Sequence, residues 1–126
     1  MKVIQISEVK AEESTSHLFV GKVLRQQLID EKMADQLLLS LGTFSPGAKT
    51  LWHTHPTEQV LYVVEGMGIV ATEAEEVIAT PGMVLYIPAG ENHWHGATPE
   101  SSFAHISIVT RSGGAPPYLI SHDPGA

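Results

Sequence analysis

Two pairs of histidines are the residues best suited to chemistry in this sequence. His53 and His55 lie one residue apart in WHTHPTEQV, and His93 and His95 repeat that spacing in ENHWHG. Residues i and i+2 of a β-strand project from the same face, so each pair can direct two imidazoles at one point. One isolated histidine would indicate no function. Two such pairs, each just after a turn, predict a metal site.

Other polar residues could act beside such an ion. His95 shares a face with His93 and is the best general acid or base, although hydrogen bonds of the pocket could simply hold it in place. His105, in SFAHISIV, could line the pocket or orient a ligand imidazole, and a solvated outer face fits the pattern equally well. Arg25 and Gln27 could bind a substrate carboxylate or hydroxyl, but plain surface positions are favoured for both.

Short β-strands are the elements that must position these side chains. Glycine and proline punctuate the chain, and the segments between them are rich in Val, Leu, Ile, Tyr and Thr, which favours an all-β sandwich or barrel. We expect strands at residues 36–44, 60–65, 69–72, 76–79, 84–87 and 103–109. Residues 18–29 fit a strand pair or one bent strand, and residues 30–38 are also compatible with a helix. One domain is expected over residues 1–111, followed by an extended or partly disordered tail at 112–126.

Composition excludes several classes of function. Seven basic against fourteen acidic residues give a net charge of −7, which argues against nucleic-acid or anionic-membrane partners. The chain has no cysteine, so disulfides and thiolate ligands or nucleophiles are excluded. The first twenty residues carry three glutamates and do not resemble a secretory signal, and no apolar run is long enough for a membrane span. We therefore expect a cytoplasmic protein that acts on a small molecule.

The spacing around both histidine pairs resembles the paired motifs of the cupin superfamily, which are small jelly-roll β-barrels. The first cupin motif has the form Gly, five residues, His-x-His, three or four residues, Glu, six residues, Gly. The second has the form Gly, five residues, Pro-x-Gly, two residues, His, three residues, Asn. The positions of this chain that match are Gly47, His53, His55, position 59 and Gly66, then Gly82, Pro88, Gly90 and His93, with Ala97 in place of the Asn.

The acidic position of the first motif falls on Gln59 here, not on Glu58. Six residues separate position 59 from Gly66, and 59 has the same parity as 53 and 55. The resemblance therefore implies a ligand set of His53, His55, Gln59 and His93; alternatively, Gln59 is only a polar barrel residue and the ion has three protein ligands. A neutral Gln carbonyl leaves the ion its full double charge and makes it a stronger Lewis acid. Such donors suit one divalent transition metal, Mn²⁺, Fe²⁺, Co²⁺, Ni²⁺ or Zn²⁺.

Within the superfamily, the chain most resembles the small manganese-dependent cupin hydroxynitrile lyases. That resemblance implies a metal-dependent lyase, with His95 accepting the proton of a cyanohydrin hydroxyl while the bond to cyanide breaks. Two alternatives remain open, namely an Fe(II)-dependent dioxygenase and a non-catalytic cupin that binds a metabolite. The resemblance also implies a homodimer formed by strand pairing between barrels. Trp52 and Trp94 have the opposite parity from the histidines, which favours packing or interface positions for them.

Overall fold

The protein is built almost entirely of short antiparallel strands. The computed structural model describes residues 1–125, in which one 3-10 turn, Ile6–Glu8, precedes the strands. The strands are β1 (Glu12–Glu13), β2 (Phe19–Val20), β3 (Val23–Ile29), β4 (Leu37–Phe44), β5 (Lys49–Thr50), β6 (His53–Thr54), β7 (Gln59–Gly66), β8 (Gly68–Thr72), β9 (Glu76–Ala79), β10 (Val84–Ile87), β11 (His93–Ala97), β12 (Phe103–Thr110) and β13 (Leu119–Ile120). No helix within these residues is long and apolar enough to cross a membrane.

Two sheets form the predicted jelly-roll barrel. The first sheet has the order β1-β3-β4-β12-β7-β10, and the second has the order β13-β6-β11-β5-β2. Strand β8 also pairs with β11, and β9 pairs with β8. This order brings the two histidine pairs together, because β6 and β11 are neighbours in the second sheet although some forty residues separate them.

The apolar core lies between the two sheets. Phe103, Phe44 and Val23 are opposite one another across β12, β4 and β3, and each is at most 1% exposed. Leu61 and Val63 of β7 pack into the same cluster. Burying a side chain of this size stabilises the fold by about 1.5–3 kcal/mol. Polar side chains share the inner face with this cluster, since buried His105 lies opposite Val63.

The six clearest strand predictions are confirmed to within one residue at each end. Residues 18–29 form two strands, but these belong to different sheets. The chain bends between them at Gly21, whose φ of 87° suits glycine, and a Cβ there would lie 3.0 Å from that of Ala48. This close approach of two backbone segments explains why the bend occurs at a glycine.

The helix considered for residues 30–38 is wrong. Asp30 closes a turn instead, since its Oδ1 accepts the backbone N–H groups of Lys32 at 2.9 Å and Met33 at 3.1 Å. An aspartate that bonds the backbone in this way favours a turn over helix propagation. Strand β4 then begins at Leu37, so β3 and β4 form a hairpin.

The C-terminal segment follows the edge of the second sheet. Strand β13 pairs with β6, where Leu119 lies opposite Thr54 and Ile120 opposite His53. The N–H of Ser121 donates to the Trp52 carbonyl at 2.9 Å. These contacts hold the tail beside the first histidine pair. The domain boundary at residue 111 stays a prediction.

Candidate metal centre and cavity

Three imidazoles meet where β6 and β11 lie side by side. His53 opens β6, His55 follows that strand, and His93 opens β11 directly opposite His53. One ring nitrogen from each of the three lies within 4.8 Å of the others. The ring centroids are 4.2 Å apart for His53 and His93, and 4.9 Å apart for His53 and His55. This cluster can hold a metal ion.

Backbone carbonyls fix the tautomer of all three rings. The Nδ1 contacts are His53 to the Leu51 carbonyl at 2.7 Å, His55 to the Pro117 carbonyl at 2.9 Å, and His93 to the Glu91 carbonyl at 2.9 Å. A carbonyl oxygen only accepts, so each neutral ring must carry its proton on Nδ1 and donate it outward. Each Nε2 is left with a lone pair, which is the arrangement of metal-binding histidines whose other nitrogen is held by the protein.

Gln59 brings an oxygen to the same point from the opposite sheet. Its Oε1 lies 3.1 Å from Nε2 of His93, and its amide nitrogen donates to Ser107 Oγ at 2.8 Å. An amide oxygen facing an unprotonated ring nitrogen puts two lone pairs together, and a cation between them would stabilise that arrangement. The buried Nε2 of His55 has no hydrogen-bond partner within residues 1–125. These donors fit a divalent metal.

The parity reason for choosing Gln59 is wrong, although the count to Gly66 is independent of it. His53 and Gln59 lie on strands of different sheets, so their shared parity does not make them face the same point. Glu58 is exposed and accepts a hydrogen bond from the Tyr86 hydroxyl, which places it outside the cluster as predicted. The assignment of Gln59 as a ligand stays a prediction.

The electrostatics of the cluster also suit a cation. Burial, together with the neighbouring His93, lowers the pKa of His53 from 6.5 to about 3 against the opposing effect of the Leu51 carbonyl. Burial likewise lowers the pKa of His93 to about 4, and it lowers that of His55. Because metal ligands must be deprotonated, rings that are neutral at pH 7 bind an ion without first losing protons.

A cavity of about 260 Å³ adjoins the cluster, and His95 and His105 both line it. Nε2 of His105 lies 3.0 Å from Nδ1 of His95, and the two side chains are 3% and 5% exposed. Both rings pack against Phe44, with centroids 5.4 and 5.7 Å away. His105 therefore faces the cavity and does not lie on a solvated outer face. The apolar Ile106 and Ile108 lie half-buried on the outer side.

The two buried histidines are neutral and share one hydrogen bond. Burial lowers the pKa of His105 to about 4, and burial together with the charge of His105 lowers that of His95 well below 6.5. Nδ1 of His105 is buried and has no hydrogen-bond partner within residues 1–125, so no other contact selects which of the two rings donates. In the tautomer with the His105 proton on Nδ1, Nε2 of His105 accepts from Nδ1 of His95. Nε2 of His95, which has no hydrogen-bond partner within the described chain, then offers a lone pair to the cavity.

Arg25 and Gln27 line the same cavity from β3, and both side chains are also exposed to solvent, which agrees with the surface interpretation favoured for them; a role in substrate binding stays a prediction. A guanidinium N–H of Arg25 donates to Ser40 Oγ at 2.8 Å. The amide nitrogen of Gln27 donates to the backbone carbonyls of Ile29 and Leu39 at 2.9 and 3.1 Å. Gln27 can therefore offer a ligand only its oxygen, whereas Arg25 keeps most of its donors.

Sequence reasoning missed other residues of the site. Thr50 Oγ1 accepts the backbone N–H of His95 at 3.1 Å, and the Tyr118 hydroxyl lies 2.7 Å from Ser16 Oγ at the cavity wall. Ser107 could have been found, because it is two residues from His105 on the same strand. Tyr118 had no such signal, since it lies in a segment with few strand formers.

Comparison with known proteins agrees with the barrel and its histidine motifs. A family model described as the cupin domain matches residues 40–109 of this chain. The chain belongs to the cupin family. In structure, this cupin resembles a cupin-like protein from Thermotoga maritima, with a TM-score of 0.83 and 33% identity over 93% of this chain and 88% of that one.

Two relatives are named as enzymes of different classes. The cupin is 45% identical over 73 residues to an (R)-mandelonitrile lyase of Granulicella tundricola, a match covering 57% of this chain and 56% of that protein. It is 33% identical over 66 residues to an acireductone dioxygenase of Parasynechococcus marenigrum, covering 49% of this chain and 36% of that protein. The chain thus matches about half or less of the length of these two relatives.

Proposed function

We propose that this cupin is a metal-dependent lyase that cleaves cyanohydrins, or forms them in the reverse direction. The observation that carries the proposal is that His53, His55 and Gln59 line one cavity with the neutral imidazole of His95, while His93 lies against these three donors. The similarity to an (R)-mandelonitrile lyase supports the reaction class. His53, His55, His93 and Gln59 would hold a divalent ion, which when bound supplies Lewis-acid polarisation of a substrate oxygen.

His95 performs the proton transfer in this proposal. Its Nε2 takes the proton of the cyanohydrin hydroxyl, and the oxygen lone pair forms the carbonyl. The carbon–carbon bond breaks, and its electron pair leaves with cyanide. The imidazolium of His95 then returns the proton to give hydrogen cyanide, which leaves His95 neutral again. His105 holds the His95 ring through the 3.0 Å contact and accepts from Nδ1 throughout.

Replacement of His95 tests this role separately from metal binding. His95→Ala should keep one equivalent of metal and lose at least about 100-fold in the rate of mandelonitrile cleavage, because general acid–base catalysis contributes about 10²–10⁴. Benzaldehyde release is followed by absorbance with protein reconstituted separately with Mn²⁺, Fe²⁺, Co²⁺, Ni²⁺ and Zn²⁺. His17→Ala is the matched control, since His17 is exposed and does not line the cavity. Full activity in His95→Ala would refute the assignment.

An iron-dependent dioxygenase is the second candidate, which the similarity to an acireductone dioxygenase supports. The same donors suit Fe²⁺ and leave positions for substrate and oxygen. An oxygen electrode separates the two reactions. Oxygen consumption that requires Fe²⁺ would favour the dioxygenase, whereas anaerobic cleavage of mandelonitrile would favour the lyase. Binding of small molecules without either reaction would leave a metabolite-binding cupin.

A further inference from the structure

The cavity contains one permanently charged side chain. Among the described residues that line it, Arg25 is the only lysine or arginine, and none is an aspartate or glutamate. The four proposed ligands are all neutral at pH 7. A divalent ion at the histidine cluster would therefore share the cavity with the Arg25 cation, with no carboxylate to balance either charge. Arg25 is exposed to solvent, but positive charge that lines a concave site still favours an anionic ligand over a neutral one.

Strand register places Arg25 on the same face of the sheet as His105. Arg25 lies opposite Gly42 of β4, and Gly42 lies opposite His105 of β12. Neighbouring strands are about 4.8 Å apart, so the Cα atoms of Arg25 and His105 are separated by about 10 Å. Gly42 has no side chain to fill the space between them; a Cβ there would lie 3.8 Å from the His105 ring. A small molecule can therefore reach both residues at once.

The Arg25 guanidinium lines the cavity, and its hydrogen-bond partner does not neutralise its positive charge. Its donated hydrogen bond goes to the neutral hydroxyl of Ser40. Protein surrounding Arg25 lowers its pKa, but an arginine stays charged at neutral pH. Its cross-strand neighbour is Glu12, which lines the groove outside the cavity with Arg25. The charge that acts on the pKa of Arg25 is that of Tyr118, with no contribution from a carboxylate.

We propose that Arg25 binds a carboxylate of the substrate, so that the carbonyl compound released by this enzyme is an oxo acid. This inference rests on the proposed function, because it assumes that the other end of the molecule reacts beside His95. A guanidinium presents a planar fork of N–H donors that matches a carboxylate in two parallel hydrogen bonds. The reacting carbon and the carboxylate would lie at opposite ends of the cavity. Gln27 contributes an acceptor oxygen next to Arg25 and does not compete for the anion.

A pair of aldehydes that differ in one charge tests the inference. The probes are 4-formylbenzoate and 4-formylbenzamide, titrated calorimetrically without cyanide into manganese-loaded protein so that no turnover occurs. We expect wild type to bind the acid at least about tenfold more tightly than the amide, since hydrogen bonds between charged groups are the strong ones. In Arg25→Gln the two affinities should agree within about threefold, and Arg25→Lys should keep part of the preference. Glu12→Gln is the matched control and should keep all of it.

Each outcome bears on a separate claim. Equal affinities for the acid and the amide in wild type would overturn the role of Arg25. A preference for the acid that survives in Arg25→Gln would also overturn it, because the metal ion would then be the group that attracts the carboxylate. Metal content and thermal unfolding of Arg25→Gln, measured in parallel, show that the variant is folded and loaded. A preference that depends on Arg25, in a protein that cleaves no cyanohydrin, would support the anion site and refute the lyase.

Discussion

Removing the Gln59 side chain is the most direct perturbation of the proposed metal centre. Its Oε1 lies 3.1 Å from Nε2 of His93, and the residue is 4% exposed. A polar contact to a full charge contributes about 1.5–3 kcal/mol. Gln59→Ala should therefore weaken metal binding about 10- to 100-fold. The three-ligand alternative predicts no such change.

Thermal unfolding measures this loss without any assumption about the reaction. A ligand present at 100 times its Kd stabilises the fold by about 2.7 kcal/mol, which for a domain of this size raises Tm by about 10 °C. If Gln59→Ala weakens Kd 100-fold, the same metal concentration stabilises by about 0.4 kcal/mol and raises Tm by about 2 °C. The Tm of each protein is measured after chelation and again after reloading with metal. Because only the rise in Tm is compared, any lower stability of the metal-free variant cancels.

The chain provides a matched control for this experiment. Gln27 is another cavity glutamine, but its amide donates to two backbone carbonyls away from the histidine cluster. Gln27→Ala should show the wild-type rise in Tm upon reloading. An equal rise in Gln59→Ala would refute the argument that its oxygen contacts the ion, and the metal would then have three histidine ligands.

Three further predictions concern the tail, acid stability and assembly. Removal of residues 116–126 should weaken metal binding about 10- to 100-fold, because His55 loses the Pro117 carbonyl. Removal of residues 122–126 should leave metal binding unchanged. Competition with a chelating dye measures the metal affinity of both truncated proteins. In metal-free protein the pKa of His105 is lowered from 6.5 to about 4, so the unfolded chain takes up its proton first and stability falls as pH drops through that window. Urea unfolding should show a shallower pH dependence in His105→Phe. Sedimentation equilibrium should give twice the chain mass, and the mass of one chain would exclude the expected dimer.

The fold was predictable because its signals are local. Strand formers alternate with glycine and proline, and each of the six clearest strands could be placed from its own residues. The histidine pairs were equally visible, since the spacing of residues on a strand is a property of the backbone. The bend at Gly21 and the turn at Asp30 were not, because both depend on contacts with other parts of the chain.

The supporting parts of the site could not be predicted for the same reason. The carbonyl that holds His55 belongs to Pro117, and any residue there would offer the same backbone group. Whether His105 faced inward depended on which side of β12 the second sheet covers, and the outer Ile106 and Ile108 made the wrong side look like the core. Sequence patterns identify side chains with distinctive chemistry, whereas backbone partners and strand order appear only in the folded chain.

The neutral oxygen of Gln59 and the cation of Arg25 both leave net positive charge for a substrate anion in the metal-loaded cavity. A carboxylate at position 59 would neutralise part of the ion's charge, so less positive charge would remain for a substrate anion. Gln59→Glu should therefore bind metal at least as tightly but bind 4-formylbenzoate more weakly. Arg25 and Gln59 lie on β3 and β7, three strand spacings apart. At roughly 10 Å between the two carboxylates and an effective dielectric constant of about 20, the repulsion is about 1.7 kcal/mol, or more than tenfold in Kd. Affinity for 4-formylbenzamide, titrated in parallel, should change little; an equal loss for both probes would show that the substitution distorts the cavity and does not act through charge.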